Sequence, residues 1–178
     1  QGIDVYVGIG RAKDFKTLVN PPFTVGYKPR RDNVYNLKTE IRLHELSEEG
    51  ENIPFKAWAI KQHHAYVDHG YRFEIEGKII AYTGDCGFTD ASRKLAKSAD
   101  LLICQCANKK TSDPDPWGHY DATQAGTLAK ESGVKQLILT QFGAHLFRTL
   151  NDRKIAEKEA KKIFPNTIAA IDGFEFGL

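Results

Sequence analysis

Residues 78–107 read KIIAYTGDCGFTDASRKLAKSADLLICQCA, and this stretch decides the fold class of the chain. It opens with an apolar run, turns at Gly-Asp-Cys-Gly, and continues into a segment that Thr89 and Asp90 can cap as a helix. A second apolar run, Leu101 to Cys104, predicts another strand after that helix. From this point on the pattern is one of alternating strands and helices, which predicts βα units.

Upstream of this stretch the sequence has the patterns of β-strands. Residues 71–82 form two alternating runs that meet at Gly77-Lys78, which predicts an antiparallel hairpin. The other upstream elements are predicted strands at Ile3 to Val7, Thr39 to Leu46 and Phe55 to Ile60, a helix at Arg11 to Val19, and a surface loop at Phe23 to Leu37.

Downstream of this stretch, helices and strands alternate. Asp121 can cap a helix that extends to Ser132, and Asn151 to Phe164 has the spacing of an amphipathic helix with Ile155, Ala156, Ala160 and Ile163 facing inward. Strands are predicted at Val134 to Leu139, Thr167 to Ile171 and Phe174 to Phe176. Antiparallel hairpins followed by βα units predict an α/β protein with mixed sheets that helices cover.

The composition excludes several classes of protein. With 178 residues, 41% hydrophobic and 27% charged, the chain has the balance of a globular domain and not that of a disordered one. The net charge of +2 gives no support for a nucleic-acid partner, although a local basic patch is compatible with one. No apolar run approaches the length of a membrane span. Cys86, Cys104 and Cys106 are too few and too close for a disulfide framework, which favours a reducing, cytoplasmic setting.

Residues capable of metal or acid-base chemistry follow the apolar strands, where ligands usually bind in α/β folds. His64 follows one strand, Asp85 follows the next, and His119 comes before a helix. Two imidazoles and a carboxylate from different elements are the groups that a hydrolytic metal centre uses. Each residue also has a simpler interpretation, since a single histidine is more often on the surface and Asp85 alone is a common turn former.

Four segments in this order resemble the metallo-β-lactamase superfamily, in particular its branch of ribonuclease Z and small phosphodiesterases. They are HAYVDHGYRFE at 64–74, IAYTGDCG at 80–87, AKSADLLI at 96–103 and GHYDATQAGTLAKESGVKQLILT at 118–140. The resemblance implies an α/β fold of the αββα sandwich type, a two-zinc site at one edge of the sheets, and a homodimer. It further implies a hydrolase in which metal-bound hydroxide attacks a phosphodiester or a related ester.

The resemblance also implies roles for individual residues. His64 matches the histidine that binds the first metal ion, and Asp85 matches the aspartate that bridges both ions. His119 matches the histidine that stabilises or protonates the leaving group. Gln141 stands where the family has a histidine ligand of the second ion, and an amide oxygen is a weaker zinc ligand than imidazole. We therefore expect Gln141 at a second metal site that is weakened, altered or empty, with His145 either compensating or exposed in a loop.

Two further departures from the family pattern concern other segments. Cys104-Gln105-Cys106 stands where family members often have His-Glu, and we expect buried, inert cysteines there, with a thiolate ligand or redox pair as the alternative. The family's His-x-His-x-Asp-His motif is absent from the sequence. We therefore expect residues 1–178 to be the C-terminal portion of a single domain that lacks about 70 to 100 residues at its start.

The length of one connection bears on the substrate. In ribonuclease Z a long insertion that grips transfer RNA commonly separates the Gly-Tyr-Arg segment from the Gly-Asp turn, whereas only residues 73–83 intervene here. A small-molecule or nucleotide ester is therefore the favoured substrate class. The alternative function is that of a metal-poor, catalytically weak or inactive relative that acts as a binding or scaffold protein.

Overall fold

The structure is a computed structural model that describes residues 2–19, 40–110 and 118–178. The surface loop predicted for 23–37 lies outside the described residues. The chain divides into two compact units, residues 1–47 and residues 48–178. The expectation that 1–178 is one portion of a single domain stays a prediction.

The first unit contains one βαβ arrangement. Its strands β1 (Gly2–Gly8) and β2 (Glu40–Leu46) pair in parallel, and helix α1 (Ala12–Val19) lies between them in the chain. Arg42 donates two hydrogen bonds to the carboxylate of Asp4, at 2.8 and 2.7 Å. These bonds, with a smaller contribution from His44, hold the pKa of the Asp4 carboxyl well below its usual range.

The second unit is built on a seven-stranded mixed sheet. Strands β3 to β6 are antiparallel to their neighbours, and β6 to β9 are parallel. The strands follow the order of the chain: β3 (Glu51–Asn52), β4 (Lys56–Gln62), β5 (Asp68–Ile75), β6 (Lys78–Tyr82), β7 (Leu101–Gln105), β8 (Gln136–Thr140) and β9 (Thr167–Ala169). A mixed sheet with helices confirms the predicted α/β class.

The hairpin between β5 and β6 closes through a two-residue turn at Glu76 and Gly77. Both residues have positive φ, 52° and 74°, as a turn of the primed type requires. The turn therefore lies one residue earlier than the Gly77-Lys78 pair that the sequence predicted. Pairing of Ile75 with Lys78 makes this connection as short as a hairpin allows.

Three helices accompany the sheet: α2 (Asp90–Ala96), α3 (Ala122–Glu131) and α4 (Leu150–Lys161). The predicted cap of α3 is confirmed, because the Asp121 carboxylate accepts from Gln124 N at 2.8 Å. Of the residues in helix α4, only Ala156 and Ala160 are buried. Ile155 is exposed, so the prediction that it faces inward is wrong. Phe174 to Phe176 is not a strand; its two phenylalanines are exposed and their ring centroids lie 6.4 Å apart.

The core of the second unit lies where helices α2 and α3 meet the sheet. Leu102 and Leu137 from the sheet and Leu95 and Leu128 from the helices are all completely buried. Burial of each such side chain contributes about 2 kcal/mol, and together they fix the strand ends on which the functional residues stand. Among the described residues, no helix is both long enough and apolar enough to cross a membrane.

Candidate active site

Five strands of the second unit, β4 and β6 to β9, run in the same direction and end at the same edge of the sheet, and four of them carry candidate residues at their ends. Strands β6, β7 and β8 are mutually parallel, and β4 has their direction because β5 lies antiparallel between β4 and β6. The residues at or after these four ends are His64, Asp85, Gln105 and Gln141. Strand β5 begins at this edge with Asp68. The carboxyl edge of the sheet thus collects the polar side chains that the sequence singled out.

Steric contacts and hydrogen bonds define the turn after β6 that carries Asp85. Gly84 has φ +64°, and a Cβ there would lie 2.9 Å from the carbonyl oxygen of His69, so this position favours glycine on both grounds. The carboxylate of Asp68 accepts from the N–H of Asp85 at 3.1 Å and from the N–H of His69 at 2.6 Å. A charged acceptor on two backbone N–H groups ties the turn to the start of β5.

Two side-chain amides surround the Asp85 carboxylate. Its Oδ1 accepts from Gln105 Nε2 at 2.7 Å and from Gln141 Nε2 at 3.0 Å. The oxygen of the Gln141 amide accepts in turn from the hydroxyl of Tyr82 at 3.0 Å. Burial, together with the negative charges of Asp85 and Asp68, raises the pKa of Tyr82, so its hydroxyl stays protonated as a donor.

These contacts bear on the role expected for Gln141. Its amide nitrogen faces Asp85 and its oxygen is engaged by Tyr82, so a metal ion at Asp85 would meet N–H groups unless this amide turned. The residue is also exposed and has a left-handed backbone conformation, with φ +49°. Metal binding by Gln141 stays a prediction. His145 is exposed in the following loop, in agreement with the surface interpretation of that residue.

The loop before α3 brings His119 to the same edge. Gly118 has φ +78°, and a Cβ there would lie 2.9 Å from the carbonyl oxygen of His63, so the loop passes too close to His63 for any larger residue. The centroid of the His119 ring is 5.1 Å from that of His64. Its Nδ1 lies 2.7 Å from Gln105 Nε2. The structure therefore places the His64 ring beside that of His119, and Gln105 joins His119 to Asp85.

His64 presents a nitrogen without a partner. Its Nε2 is buried and makes no hydrogen bond within the described residues, whereas Nδ1 lies 3.4 Å from the backbone nitrogen of Tyr66. A buried, unsatisfied imidazole nitrogen costs free energy unless a ligand or a metal ion satisfies it. At 3.4 Å this hydrogen bond, in which the Tyr66 N–H donates to Nδ1, is long and weak.

The described residues include two side chains with donor types that zinc binds. His64 and Asp85 have the donor types that zinc prefers, and the buried Nε2 of His64 fits such a role. Across residues 2–19, 40–110 and 118–178, however, no three His, Cys, Asp or Glu side chains lie together as a ligand set. His64 and Asp85 thus form an incomplete ligand set for a metal ion within the described residues.

The three cysteines are free and fully buried. Burial raises the pKa of Cys86 and of Cys106 to about 12, and that of Cys104 well above its ordinary value. Such thiols are protonated at neutral pH, which makes them poor nucleophiles. The interpretation of Cys104 and Cys106 as buried, inert residues agrees with the structure.

Sequence reasoning missed three residues of this site: Asp68, Tyr82 and Gln105. Asp68 lies inside the HAYVDHGYRFE segment, where an acidic residue just before the paired strand was a usable signal. The sequence indicated Gln105 only as a residue that stands where family members often have glutamate. Its contacts depend on atoms of two distant segments, and no local pattern indicates them.

Comparison with known proteins identifies the family. Residues 11–142 match the model of the beta-lactamase superfamily domain. The chain is 39% identical over 105 residues to ribonuclease Z of Ligilactobacillus salivarius, covering 58% of this chain and 32% of the relative. It is 32% identical over 114 residues to the probable metallo-hydrolase YhfI of Bacillus subtilis, covering 62% and 43%. The chain thus spans less than half the length of these curated relatives.

Solved structures give the same result for the fold. The metallo-beta-lactamase fold protein YhfI from Bacillus subtilis superposes with a TM-score of 0.72 at 24% identity, covering 98% of this chain and 64% of that one. Human tRNase Z, short form, superposes with a TM-score of 0.60 at 23% identity, covering 80% and 61%. The predicted fold type is thereby confirmed. The chain belongs to the beta-lactamase superfamily and has the metallo-β-lactamase fold.

Proposed function

We propose that this chain is part of a metal-dependent hydrolase of phosphodiester or related ester bonds. The observation that carries the proposal is the convergence of His64, Asp85 and His119 at one edge of the sheet, in a chain of this superfamily. Relatives named ribonuclease Z and metallo-hydrolase support a hydrolase of this type.

In this proposal His64 and Asp85 hold zinc together with ligands beyond these two, and Gln141 lies at the edge of a second, weaker site. Bound zinc would supply a Lewis acid and an activated water. Asp68 keeps Asp85 in place through the backbone N–H, and the imidazole of His119 serves the leaving group. The buried Nε2 of His64 supports its assignment as a ligand.

The proposed substrate is a small-molecule or nucleotide diester. The two-residue turn at Glu76 and Gly77 supports this, because it leaves no room between β5 and β6 for an insertion that grips a large RNA. The name ribonuclease Z, given to several relatives, favours a nucleic-acid substrate instead. A panel of substrates distinguishes a small diester from a nucleic acid. A reducing compartment is proposed from the three free, buried cysteines, and a homodimer from the family resemblance.

The test uses the full-length protein, loaded with zinc. Bis(p-nitrophenyl) phosphate, a cyclic nucleotide, an RNA with a 3′ extension, a thioester and a lactone form the panel. We expect diester cleavage, with His64→Ala and His119→Ala each lowering kcat/KM by about 10²-fold or more. The matched control is His44→Ala, because the His44 imidazole pairs with Asp4 in the first unit.

A second candidate function is favoured by the two amides that face Asp85 where a metal ion would bind. It is that of a metal-poor relative that acts as a binding or scaffold protein. Metal content measured by mass spectrometry separates the two functions. The hydrolase proposal would be overturned if the full-length protein contained no metal and cleaved no ester, and if His64→Ala left partner binding unchanged.

A further inference from the structure

The loop between β4 and β5 carries two exposed apolar side chains beside the candidate active site. It comprises residues 63–67, His-His-Ala-Tyr-Val. Tyr66 is 72% exposed and Val67 is 49% exposed. A single exposed apolar residue is common on a protein surface, so exposure alone gives neither of them a function. Their position points to one, because the loop also carries His64 and continues directly into Asp68.

Two hydrogen bonds tie the ends of this loop to the turn that carries Asp85. The carbonyl oxygen of His63 accepts from the backbone N–H of Gly87 at 2.9 Å. At the other end, the carboxylate of Asp68 accepts from the backbone N–H of Asp85 at 3.1 Å. The exposed tip at residues 66–67 is therefore positioned at the site before a ligand binds, and preorganisation of this kind lowers the free-energy cost of binding.

The Tyr66 ring lies next to the imidazole of the first candidate metal ligand. Its centroid is 6.3 Å from that of His64, and the two ring planes are tilted by 48°. The His64 ring has a second aromatic neighbour in His119, whose centroid is 5.1 Å away. His64 thus lies beside one residue to which leaving-group chemistry is assigned and beside one exposed aromatic ring that the proposed reaction does not use.

We propose that Tyr66 is a specificity-determining residue whose ring stacks on a planar aromatic ring of the substrate, such as the base of a nucleotide. The inference rests on the proposed function, in which the ester reacts beside His64 and its leaving group lies at His119. Because Tyr66 is a different neighbour of His64, it contacts the substituent that the ester retains after cleavage. Stacking suits this role, since every base has a π-face and a nucleoside is long enough to span the 6.3 Å between the Tyr66 and His64 centroids.

Three variants separate stacking from simple apolar contact. Tyr66→Phe retains the ring, Tyr66→Leu retains an apolar side chain without a π-face, and Tyr66→Ala removes both. None of them creates a cavity, because Tyr66 is exposed, so the fold should be retained in all three. Ile155→Ala is the matched control, since Ile155 is an apolar residue of helix α4 that is 47% exposed.

The first test measures binding and needs no turnover. The full-length protein, loaded with zinc, is titrated with adenosine 5′-monophosphate and with ribose 5-phosphate in a calorimeter. The native protein, Tyr66→Phe and Ile155→Ala should each bind the nucleotide about 10-fold more tightly than the sugar phosphate. In Tyr66→Leu and Tyr66→Ala the two Kd values should agree within about threefold. Equal Kd values in the native protein, or no binding of either ligand, would overturn the inference, and so would the native preference in Tyr66→Leu.

The second test is kinetic and uses two diesters that share a leaving group. Both bis(p-nitrophenyl) phosphate and methyl p-nitrophenyl phosphate release p-nitrophenolate, but the first retains an aryl group and the second a methyl group. Tyr66→Leu should raise KM for the aryl diester by about 10-fold and change KM for the methyl diester by less than about threefold, with kcat little changed for both. Equal increases in KM for the two diesters would contradict the inference, because Tyr66 would then support the site without contacting the retained group.

The two tests keep the inference and the proposed function apart. If no ester is cleaved but Tyr66→Leu and Tyr66→Ala abolish the preference for the nucleotide, the hydrolase proposal fails and the role of Tyr66 stands. If diesters are cleaved but Tyr66→Leu keeps the native preference for the nucleotide and the native KM for the aryl diester, the function stands and the role of Tyr66 fails.

Discussion

The carboxylate of Asp68 accepts a hydrogen bond from the backbone N–H of Asp85 at 3.1 Å, so the first residue of β5 holds the turn that follows β6. A second backbone N–H, that of His69, donates to the same carboxylate at 2.6 Å. Asp85 donates this bond from its backbone N–H, so its side-chain carboxylate remains available to the amides of Gln105 and Gln141 and to a ligand. Asp68 therefore positions a candidate metal ligand without competing for it.

Replacing Asp68 by alanine should weaken metal binding. Without the acceptor, the Asp85 turn loses a charge-assisted hydrogen bond, and we expect zinc affinity of the full-length protein to fall by about 10- to 100-fold. Asp68→Asn retains one acceptor and should give an intermediate loss. A competition titration against a zinc chelator measures this, with Asp90→Ala, an exposed position in α2, as the control. Equal affinities of Asp68→Ala and Asp90→Ala would contradict the role given to Asp68.

Gln141→His should increase the amount of metal bound. Imidazole is a stronger zinc ligand than a side-chain amide, and the substitution also removes an N–H donor from Asp85. We expect the zinc content of the full-length protein to rise toward about two ions per chain, measured by mass spectrometry after removal of free metal. His145→Ala is the companion variant, and its metal content should equal that of the native protein. A loss of zinc in His145→Ala would show instead that His145 compensates for Gln141.

Gly118→Ala should destabilise the protein more than Gly133→Ala. Both glycines have positive φ, +78° and +67°, so each substitution costs about 1–2 kcal/mol of backbone strain. Only at Gly118 would the new Cβ also meet backbone, at 2.9 Å from the carbonyl oxygen of His63, whereas nothing lies within 4 Å at Gly133. Urea unfolding of the two variants should therefore differ by about 1 kcal/mol or more. Equal losses of unfolding free energy in the two variants would mean that the loop before α3 moves to accommodate a Cβ at position 118.

The stability contribution of Asp152 should depend on pH in a defined direction. Hydrogen bonds from Lys109 and then from Thr149 lower the pKa of Asp152 to about 2, below the value of about 3.9 in an unfolded chain. A lowered carboxyl pKa stabilises the fold above the unfolded value, and this contribution is lost as pH falls through the folded value. The native protein should therefore exceed Asp152→Asn in free energy of unfolding above about pH 5 and lose this advantage by about pH 2. A difference independent of pH would contradict the Lys109 pairing.

Local patterns in the sequence were sufficient for most of the fold. The cap at Asp121 is recognisable because its contact is with Gln124, three residues further on. The hairpin at Glu76 and Gly77 is recognisable to within one residue because both strands alternate around it. Ile155 was misplaced, since helical spacing defines an apolar face but does not state how much of that face a neighbouring element covers.

The sequence by itself determined the family, the α/β class and the candidacy of His64, Asp85 and His119, because those depend on residue type and order along the chain. Only the tertiary structure decided that Gln105 joins Asp85 to His119, and that Gln141 turns its nitrogen toward Asp85. The physical reason is the adjacency of β6, β7 and β8, whose parallel pairing brings together strand ends that are 20 and 36 residues apart in the chain, at positions 85, 105 and 141. The direction of each hydrogen bond then follows from which donors and acceptors come within 3 Å of one another, and this depends on three-dimensional packing.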